Sequence, residues 1–160
     1  MARTDVPNIS IDNAQIRFRN FTGDPTKFDK AGGKRTFSVI LDPDMAEKLR
    51  DDGWNVKSWE PDGADEPIYH LPVEISYKIY PPKVWMISGN KKTMLQEDTI
   101  SALQYAEFTK VQLIIRPYCW EVNGKSGIKA YVKAMYVTIE EDEFEKEYRN
   151  FEDDDEEIPF

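Results

Sequence analysis

Two long strand-like runs joined by an Asn-Gly pair limit the possible folds more than any other feature of the chain. The runs cover residues 108–122 and 128–139, and Asn123-Gly124 lies between them. Asn-Gly favours the tight turn in which both central residues have positive φ, and that turn matches the twist of an antiparallel ribbon. The sequence therefore predicts a long β-hairpin with a glycine-containing loop at residues 123–127.

Three further strands are predicted upstream. Apolar and polar side chains alternate over residues 14–19 and 71–79, and the second of these strands resumes over residues 84–87. Residues 35–41 are a run of side chains that favour strands. Asp42-Pro43 is typical of an N-cap followed by proline at the first helical position, and Gly53 is a typical helix stop. A short helix is therefore predicted over residues 43–52, and a second over residues 99–107. Residues 20–33 and 88–92 are predicted loops.

About five strands with one or two short helices predict a mainly β fold over residues 1–139. A sheet that closes on itself removes exposed strand edges. The five-stranded oligonucleotide-binding (OB) fold is the small barrel with this order of elements, and its binding loops are the first and last strand connections. Phe18, Phe37, Tyr77 and Tyr136 fall on apolar faces, so we expect them in the core.

The acidic charge is concentrated at the end of the chain. The net charge is −9, yet residues 140–160 hold 12 acidic and 2 basic side chains, which leaves 18 acidic and 19 basic side chains in residues 1–139. Residues 152–157 are all acidic and predict a disordered tail. The tail ends in an apolar tip, Ile158, Pro159 and Phe160. We expect this tip to fill a partner's pocket while the neighbouring carboxylates steer it toward basic residues.

This ending resembles the acidic tip of bacterial single-stranded DNA-binding proteins, in which three aspartates precede Ile-Pro-Phe. Asp153, Asp154 and Asp155 match the aspartates, and residues 158–160 match the apolar end. Glu156 and Glu157 stand between them, and the long Gly/Gln/Pro-rich linker of that family is missing.

An OB body with a short acidic tail is similar to phage-encoded single-stranded DNA-binding proteins. The resemblance implies sequence-nonspecific binding that coats and protects DNA during replication, recombination and repair in the host cytoplasm. It also implies recruitment of replication or recombination proteins by the tail.

Nonspecific binding of single strands needs cations along the phosphates and flat rings for the bases. Four strand segments and the loops of this chain place lysine or arginine beside an aromatic residue. Because the body is nearly neutral, we expect binding to depend more on stacking than on counterion release. The candidate single-stranded DNA-binding residues are Arg17, Arg19, Lys27, Phe28, Lys34, Lys78, Tyr80, Trp85, Lys91, Lys92, Arg116, Tyr118, Trp120, Lys125, Lys129, Tyr131 and Lys133.

The sequence predicts no catalytic residue, no cofactor and no metal. One cysteine, Cys119, and one histidine, His70, exclude an intramolecular disulfide and a Cys/His zinc site. Residues 124–126 read Gly-Lys-Ser, but Cys119 stands where a phosphate-binding P-loop needs its first glycine.

Two other classes of function stay open. The first is a magnesium-dependent nuclease that uses Asp42, Asp44, Glu74 and Glu97. The second is a non-catalytic adaptor or DNA mimic that acts through the acidic tail. Association into a homo-oligomer stays open as well. The apolar runs are too short to cross a membrane and the first residues lack a signal-peptide pattern, so we expect a cytoplasmic protein.

Overall fold

The computed structural model describes residues 6–25, 30–78 and 80–140. Over these ranges the chain forms nine strands, one α-helix and a short 3-10 helix, which confirms a mainly β fold. The strands are β1 (Ile9–Ile11), β2 (Ile16–Asn20), β3 (Arg35–Leu41), β4 (Lys57–Trp59), β5 (Ile68–Ile75), β6 (Lys83–Ser88), β7 (Lys91–Leu95), β8 (Phe108–Val122) and β9 (Lys125–Ile139). The helices are α1 (Pro43–Asp52) and the 3-10 helix Ile100–Leu103.

All nine strands belong to one sheet. Its main path runs β1-β8-β9-β5-β3-β2, with β4 on β5 and the β6–β7 pair on β9. The β5–β9 and β6–β9 pairs are parallel, and the others are antiparallel. The five expected strands are present, and the predicted resumption over residues 84–87 is β6, whereas β1, β4 and β7 were not predicted. Among the described residues no ladder joins β1 to β2, so the sheet is not closed, in keeping with the partly open barrel of OB folds.

The long hairpin is confirmed. Strands β8 and β9 have 15 residues each and pair along their whole length. The two turn residues, Asn123 and Gly124, have φ of 51° and 79°. The loop is shorter than predicted, because this turn keeps the strands in register and residues 125–127 pair with residues 120–122.

The first helix is also confirmed, and local chemistry accounts for its limits. A side-chain oxygen of Asp42 accepts a hydrogen bond from the Met45 backbone N–H at 2.8 Å, and Gly53 ends the helix at φ 106°. The second predicted helix is shorter and forms only one 3-10 turn, in which Ile100 and Leu103 are buried. The basic segment 88–92 is not a loop but the tight turn of the β6–β7 hairpin.

One apolar core lies between the curved sheet and α1, and it includes Phe37 as predicted. Two of the four aromatic residues assigned to the core lie elsewhere. Phe18 is 54% exposed because a bulge interrupts the β2–β3 register, and Phe21 stacks on Phe37 instead. Tyr136 faces away from the core because Lys133 is an extra, unpaired residue in β9 that reverses the alternation after it. Tyr77 is half-buried against the core.

Burial raises the pKa of Tyr77 to about 12, and its hydroxyl donates a hydrogen bond to the Leu95 carbonyl.

In the part of the chain described above, no helix is long and apolar enough to cross a bilayer.

Candidate nucleic-acid interface

Six of the residues predicted from sequence line one groove on the face of the sheet opposite the core. The groove has a volume of about 380 Å³, and we call it the tyrosine groove. Strand pairing explains how it forms, because Arg116 lies opposite Tyr131 and Tyr118 lies opposite Lys129 on adjacent strands. Side chains of paired residues point to the same face of a sheet. The six residues are Lys34, Lys78, Tyr80, Arg116, Tyr118 and Tyr131.

Arg116 lies between two of the tyrosine rings. Its Cζ is 4.7 Å from the ring centroid of Tyr80 and 5.2 Å from that of Tyr131. The Tyr118 ring meets the Tyr131 ring edge-on, with centroids 6.1 Å apart. Tyr80 and Tyr118 are 65% and 52% exposed, so solvent reaches both rings. The arrangement combines a cation with three accessible rings in one concave surface.

Lys129 stands at the edge of this groove and is held by a carboxylate. Its Nζ is 3.0 Å from Glu74 Oε1 and 5.0 Å from the ring centroid of Tyr131. Burial lowers the pKa of Lys129, but the hydrogen bonds to Glu74 and Tyr131 and the charge of Glu74 outweigh that effect and raise it. The ammonium therefore stays protonated at neutral pH.

A second groove of about 430 Å³ adjoins the first, and we call it the tryptophan groove. Trp120, Gly127, Pro72 and Lys129 are among its lining residues, and Glu74 lines both grooves. Trp120 is 37% exposed and lies against Gly127 on the neighbouring strand. The two grooves therefore form one surface across β5, β8 and β9.

Two further predicted residues, Trp85 on β6 and Lys92 on β7, lie beside the part of β9 that follows the bulge. Trp85 is paired with Tyr136, and the Lys92 Nζ is 4.6 Å from the Trp85 ring centroid and 5.3 Å from that of Tyr136. Tyr136 was not predicted as a site residue, because without the bulge it belongs to the core face. The exposed residues Lys91, Lys125 and Lys133 lie on β7 and β9 and line neither groove.

Two predicted arginines lie apart from the grooves. Arg19 donates hydrogen bonds to the carbonyls of Ala106 at 2.5 Å and Leu103 at 3.3 Å, and its Cζ is 3.8 Å from the Phe108 ring centroid. Burial lowers the pKa of Arg19, and the charge of Arg17 adds to the effect. Arg19 therefore holds β2 to the end of the 3-10 helix. Both arginines line a separate cleft of about 270 Å³ between β2 and β8.

Several predicted residues lie outside the described ranges. They are Lys27 and Phe28 in the first loop, and Asp153, Asp154, Asp155, Ile158, Pro159 and Phe160 in the tail.

Sequence reasoning missed a cluster of three rings at the other end of the sheet face, which we call the Phe18 cluster. The Phe18 ring centroid is 5.5 Å from that of Trp59 and 5.2 Å from that of His70. His70 Nδ1 is 3.0 Å from the Ser38 hydroxyl. Trp59 has polar neighbours on both sides in the sequence, which is a signal of exposure, but no pattern marks the bulge that exposes Phe18.

Three of the four carboxylates considered for a magnesium site have other partners, and the fourth, Asp44, lies in the first turn of α1. Asp42 caps α1, Glu74 pairs with Lys129, and Glu97 Oε1 is 3.8 Å from Arg35 Nη1. Across residues 6–25, 30–78 and 80–140, no three Asp, Glu, His or Cys side chains are grouped closely enough to hold a metal ion.

The fold is similar to that of three solved structures of a single-stranded DNA-binding protein from bacteriophage Enc34. The complex with ssDNA aligns with a TM-score of 0.53 and 15% identity over 84% of this chain and 88% of that chain. A C-terminal truncation aligns with a TM-score of 0.53 and 14% identity over 84% and 87%, and a third structure with 0.52 and 14% over 84% and 82%.

No curated protein sequence shows significant similarity to the chain. A family model described as "Putative phage ssDNA-binding domain" matches residues 1–159, which is nearly the whole sequence. The chain therefore belongs to this family of phage single-stranded DNA-binding domains.

Proposed function

We propose that the protein binds single-stranded DNA without sequence preference along the tyrosine and tryptophan grooves. The observation that carries the proposal is the Arg116 guanidinium between the rings of Tyr80 and Tyr131, beside the exposed ring of Tyr118. A guanidinium attracts phosphate, and a tyrosine ring accepts any base on its face. Membership in a phage single-stranded DNA-binding family supports the same conclusion.

Stacking supplies most of the affinity in this proposal. A base stacked on an aromatic ring contributes about 1–3 kcal/mol, and Tyr80, Tyr118, Tyr131 and Trp120 offer four such rings. Stacking tolerates every base because each has a π face, so the binding is nonspecific. Lys34 and Lys78 add positive charge inside the tyrosine groove. The surface on which a longer strand lies is extended by Trp85, Lys91, Lys92, Lys125 and Lys133.

The proposal is tested by fluorescence titration with poly-dT. The tryptophan emission is expected to be quenched on binding, and Tyr131→Ala and Arg116→Ala should each weaken affinity about tenfold or more, the loss of one stacked base or one charged contact. Tyr131→Phe keeps the ring and should keep most of the affinity. Tyr105→Ala removes a ring that is 87% exposed and lines neither groove, so it is the matched control.

Three results would count against the proposal. An absence of binding by the unaltered protein refutes it and favours an adaptor or DNA mimic. Equal losses in the Tyr105→Ala control and the groove variants would place the site elsewhere. Degradation of the strand on addition of Mg²⁺ would show a nuclease instead.

The tail has two roles in this proposal. Residues 140–160 occupy the grooves when DNA is absent, and DNA displaces them so that Ile158, Pro159 and Phe160 recruit replication or recombination proteins. The tail is long enough to reach the grooves. Twenty extended residues span up to about 70 Å. The distance along β9 from Ile139 back to Tyr131, which is eight residues, is about 27 Å. Tethering also gives the tail a high effective concentration at the grooves. The protein then acts by coating and protecting DNA rather than by chemistry.

A further inference from the structure

The Phe18 cluster lies on the same sheet face as the proposed DNA path. His70, Pro72 and Glu74 alternate along β5 on the side opposite the core. Pro72 and Glu74 line the tryptophan groove, and His70 is the next residue along that face, about 7 Å further. On the neighbouring strand β3, Ser38 connects Pro72 and His70, because it is paired with Pro72 and its hydroxyl contacts His70. The cluster therefore continues the groove toward β4.

Phe18 reaches this face because its backbone is strained. The bulge places Phe18 and Arg19 opposite the single residue Phe37, and Phe18 has φ 54°. Bulges of this kind normally have glycine at the left-handed position, because a bulky side chain is disfavoured there. Strained backbone of this sort is concentrated at functional sites, and bulges commonly re-aim a side chain. Here the result is a phenylalanine that is 54% exposed beside a tryptophan that is 40% exposed.

The charges around the cluster favour a polyanion on one side of it. Lys57 is paired with His70 on the neighbouring strand, and its charge lowers the pKa of the imidazole after the larger effect of burial. Beyond Trp59 the charge reverses. The loop that follows exposes four carboxylates, those of Glu60, Asp62, Asp65 and Glu66. The surface before Trp59 therefore attracts phosphates, and the acidic loop after Trp59 repels them. The cluster is thus one end of the path that the DNA follows.

We infer that Phe18 and Trp59 form a second stacking subsite, which binds bases of the single-stranded DNA where it continues beyond the tryptophan groove. This inference rests on the proposed function, and it extends the site from β8–β9 across β5 to β2 and β4. The alternative partner for exposed rings of this kind is a second copy of the protein. The charge of Lys57 and the continuity with the groove favour DNA.

The test compares oligothymidylates of roughly 4 to 16 nucleotides, the range that one OB fold occupies. Phe18→Gly removes the ring and suits the left-handed backbone, so the variant should fold. Phe18→Gly and Trp59→Ala should each weaken binding of the longest oligonucleotide roughly 5- to 100-fold, the range for one lost stack, and leave the shortest unchanged. Trp59→Phe keeps a flat ring and should retain the affinity while losing part of the fluorescence quenching. Tyr105→Ala is again the control.

The outcomes separate the inference from the proposed function. If Tyr131→Ala weakens binding at all lengths while Phe18→Gly and Trp59→Ala change nothing, the subsite is absent and the proposed function stands. If the unaltered protein binds no oligonucleotide, both fail. If the two variants alter only the oligomeric state, measured by sedimentation, the rings are a contact between copies and the subsite is again refuted.

Discussion

Among single residues, Gly127 determines how Trp120 lies in the groove. A Cβ atom placed on Gly127 would be 2.8 Å from Cζ2 and 3.0 Å from Cε2 of the indole, closer than Cβ atoms approach other groups. The missing side chain therefore lets the ring lie against β9. Because of this contact, the Trp120 ring lies in a defined orientation and forms one wall of the tryptophan groove.

Replacing Gly127 by alanine should push the Trp120 ring away from β9. We expect single-stranded DNA affinity to fall roughly 3- to 10-fold, a fraction of one stacking interaction, and the quenching of tryptophan emission to decrease. Poly-dT titration measures both. In a Trp120→Ala background the same glycine substitution should have no further effect, because the two residues act as one unit. An equal loss in both backgrounds would show that Gly127 acts without Trp120.

His70 gives a pH-dependent signal that belongs to one residue, because the chain has a single histidine. Burial and then the charge of Lys57 hold the pKa of His70 below its ordinary value of 6.5. The unfolded chain therefore binds more protons than the folded chain just below pH 6.5. The free energy of unfolding has its full value above pH 6.5 and decreases as the pH falls through the window between 6.5 and the folded pKa.

We expect NMR titration of the imidazole to give a midpoint below 6.5 in the folded protein. Urea unfolding at pH values between about 5 and 7 should show stability rising with pH, and His70→Asn should flatten that rise. Lys57→Ala should move the midpoint upward because it removes the second cause of the shift. A midpoint above 6.5 would contradict the burial of the neutral ring between Phe18 and Ser38.

Among the elements, the β8–β9 hairpin depends on its two-residue turn. Gly124→Ala puts a side chain at φ 79° in otherwise open space, so strain is its main effect. The free energy of unfolding should fall by about 1 kcal/mol, as for other non-glycine residues in this region. Asn123→Gly, at φ 51°, is the control and should change stability by only a few tenths of a kcal/mol. Urea unfolding midpoints measure the stability of both variants. An equal loss of stability in Gly124→Ala and Asn123→Gly would contradict a strain effect.

The elements that the sequence predicted correctly are those whose limits depend on local chemistry. Asp42, Pro43 and Gly53 set the ends of α1 through capping, proline geometry and positive φ, all of which are visible in sequence. Asn123-Gly124 sets the hairpin in the same way. The alternation in β8 and β9 then assigns the faces, and Arg116, Tyr118 and Tyr131 lie in one groove.

The elements that were missed depend on contacts between distant segments. The bulges at Phe18 and Lys133 appear only when the paired strands are compared residue by residue, and each reverses the faces that alternation assigns. Arg19 follows the alternating pattern of a surface cation, yet carbonyl groups more than 80 residues away hold it. Strand β4 has three residues, too few for a periodic pattern, so Trp59 gave no strand signal.

At the scale of the whole molecule, a nearly neutral body carries a strongly acidic tail. The tyrosine groove has four cationic side chains, which are offset in part by Glu74 and Glu97; the four are Lys34, Arg35, Lys78 and Arg116. If about two to four phosphates are neutralised, the slope of log K against log salt should be only about −1.5 to −3, since each phosphate contact on a single strand contributes about −0.7. Titrations over a range of salt concentrations measure it. A slope much steeper than −3 would show that cations rather than rings dominate.

The tail should alter that salt dependence if it competes with DNA for the grooves. Removing residues 152–160 should tighten single-stranded DNA binding at low salt, and the gain should shrink as salt rises, because the Debye length falls from about 30 Å at 0.01 M to about 8 Å at 0.15 M. Changing the acids of residues 152–157 to their amides keeps Ile158, Pro159 and Phe160. This matched variant should give the same gain and should bind replication proteins more weakly than the full tail but better than the deletion, because the apolar tip remains while the steering carboxylates are lost. Unchanged affinity at every salt concentration would rule out competition, and partner binding by the deletion would rule out recruitment by the tip.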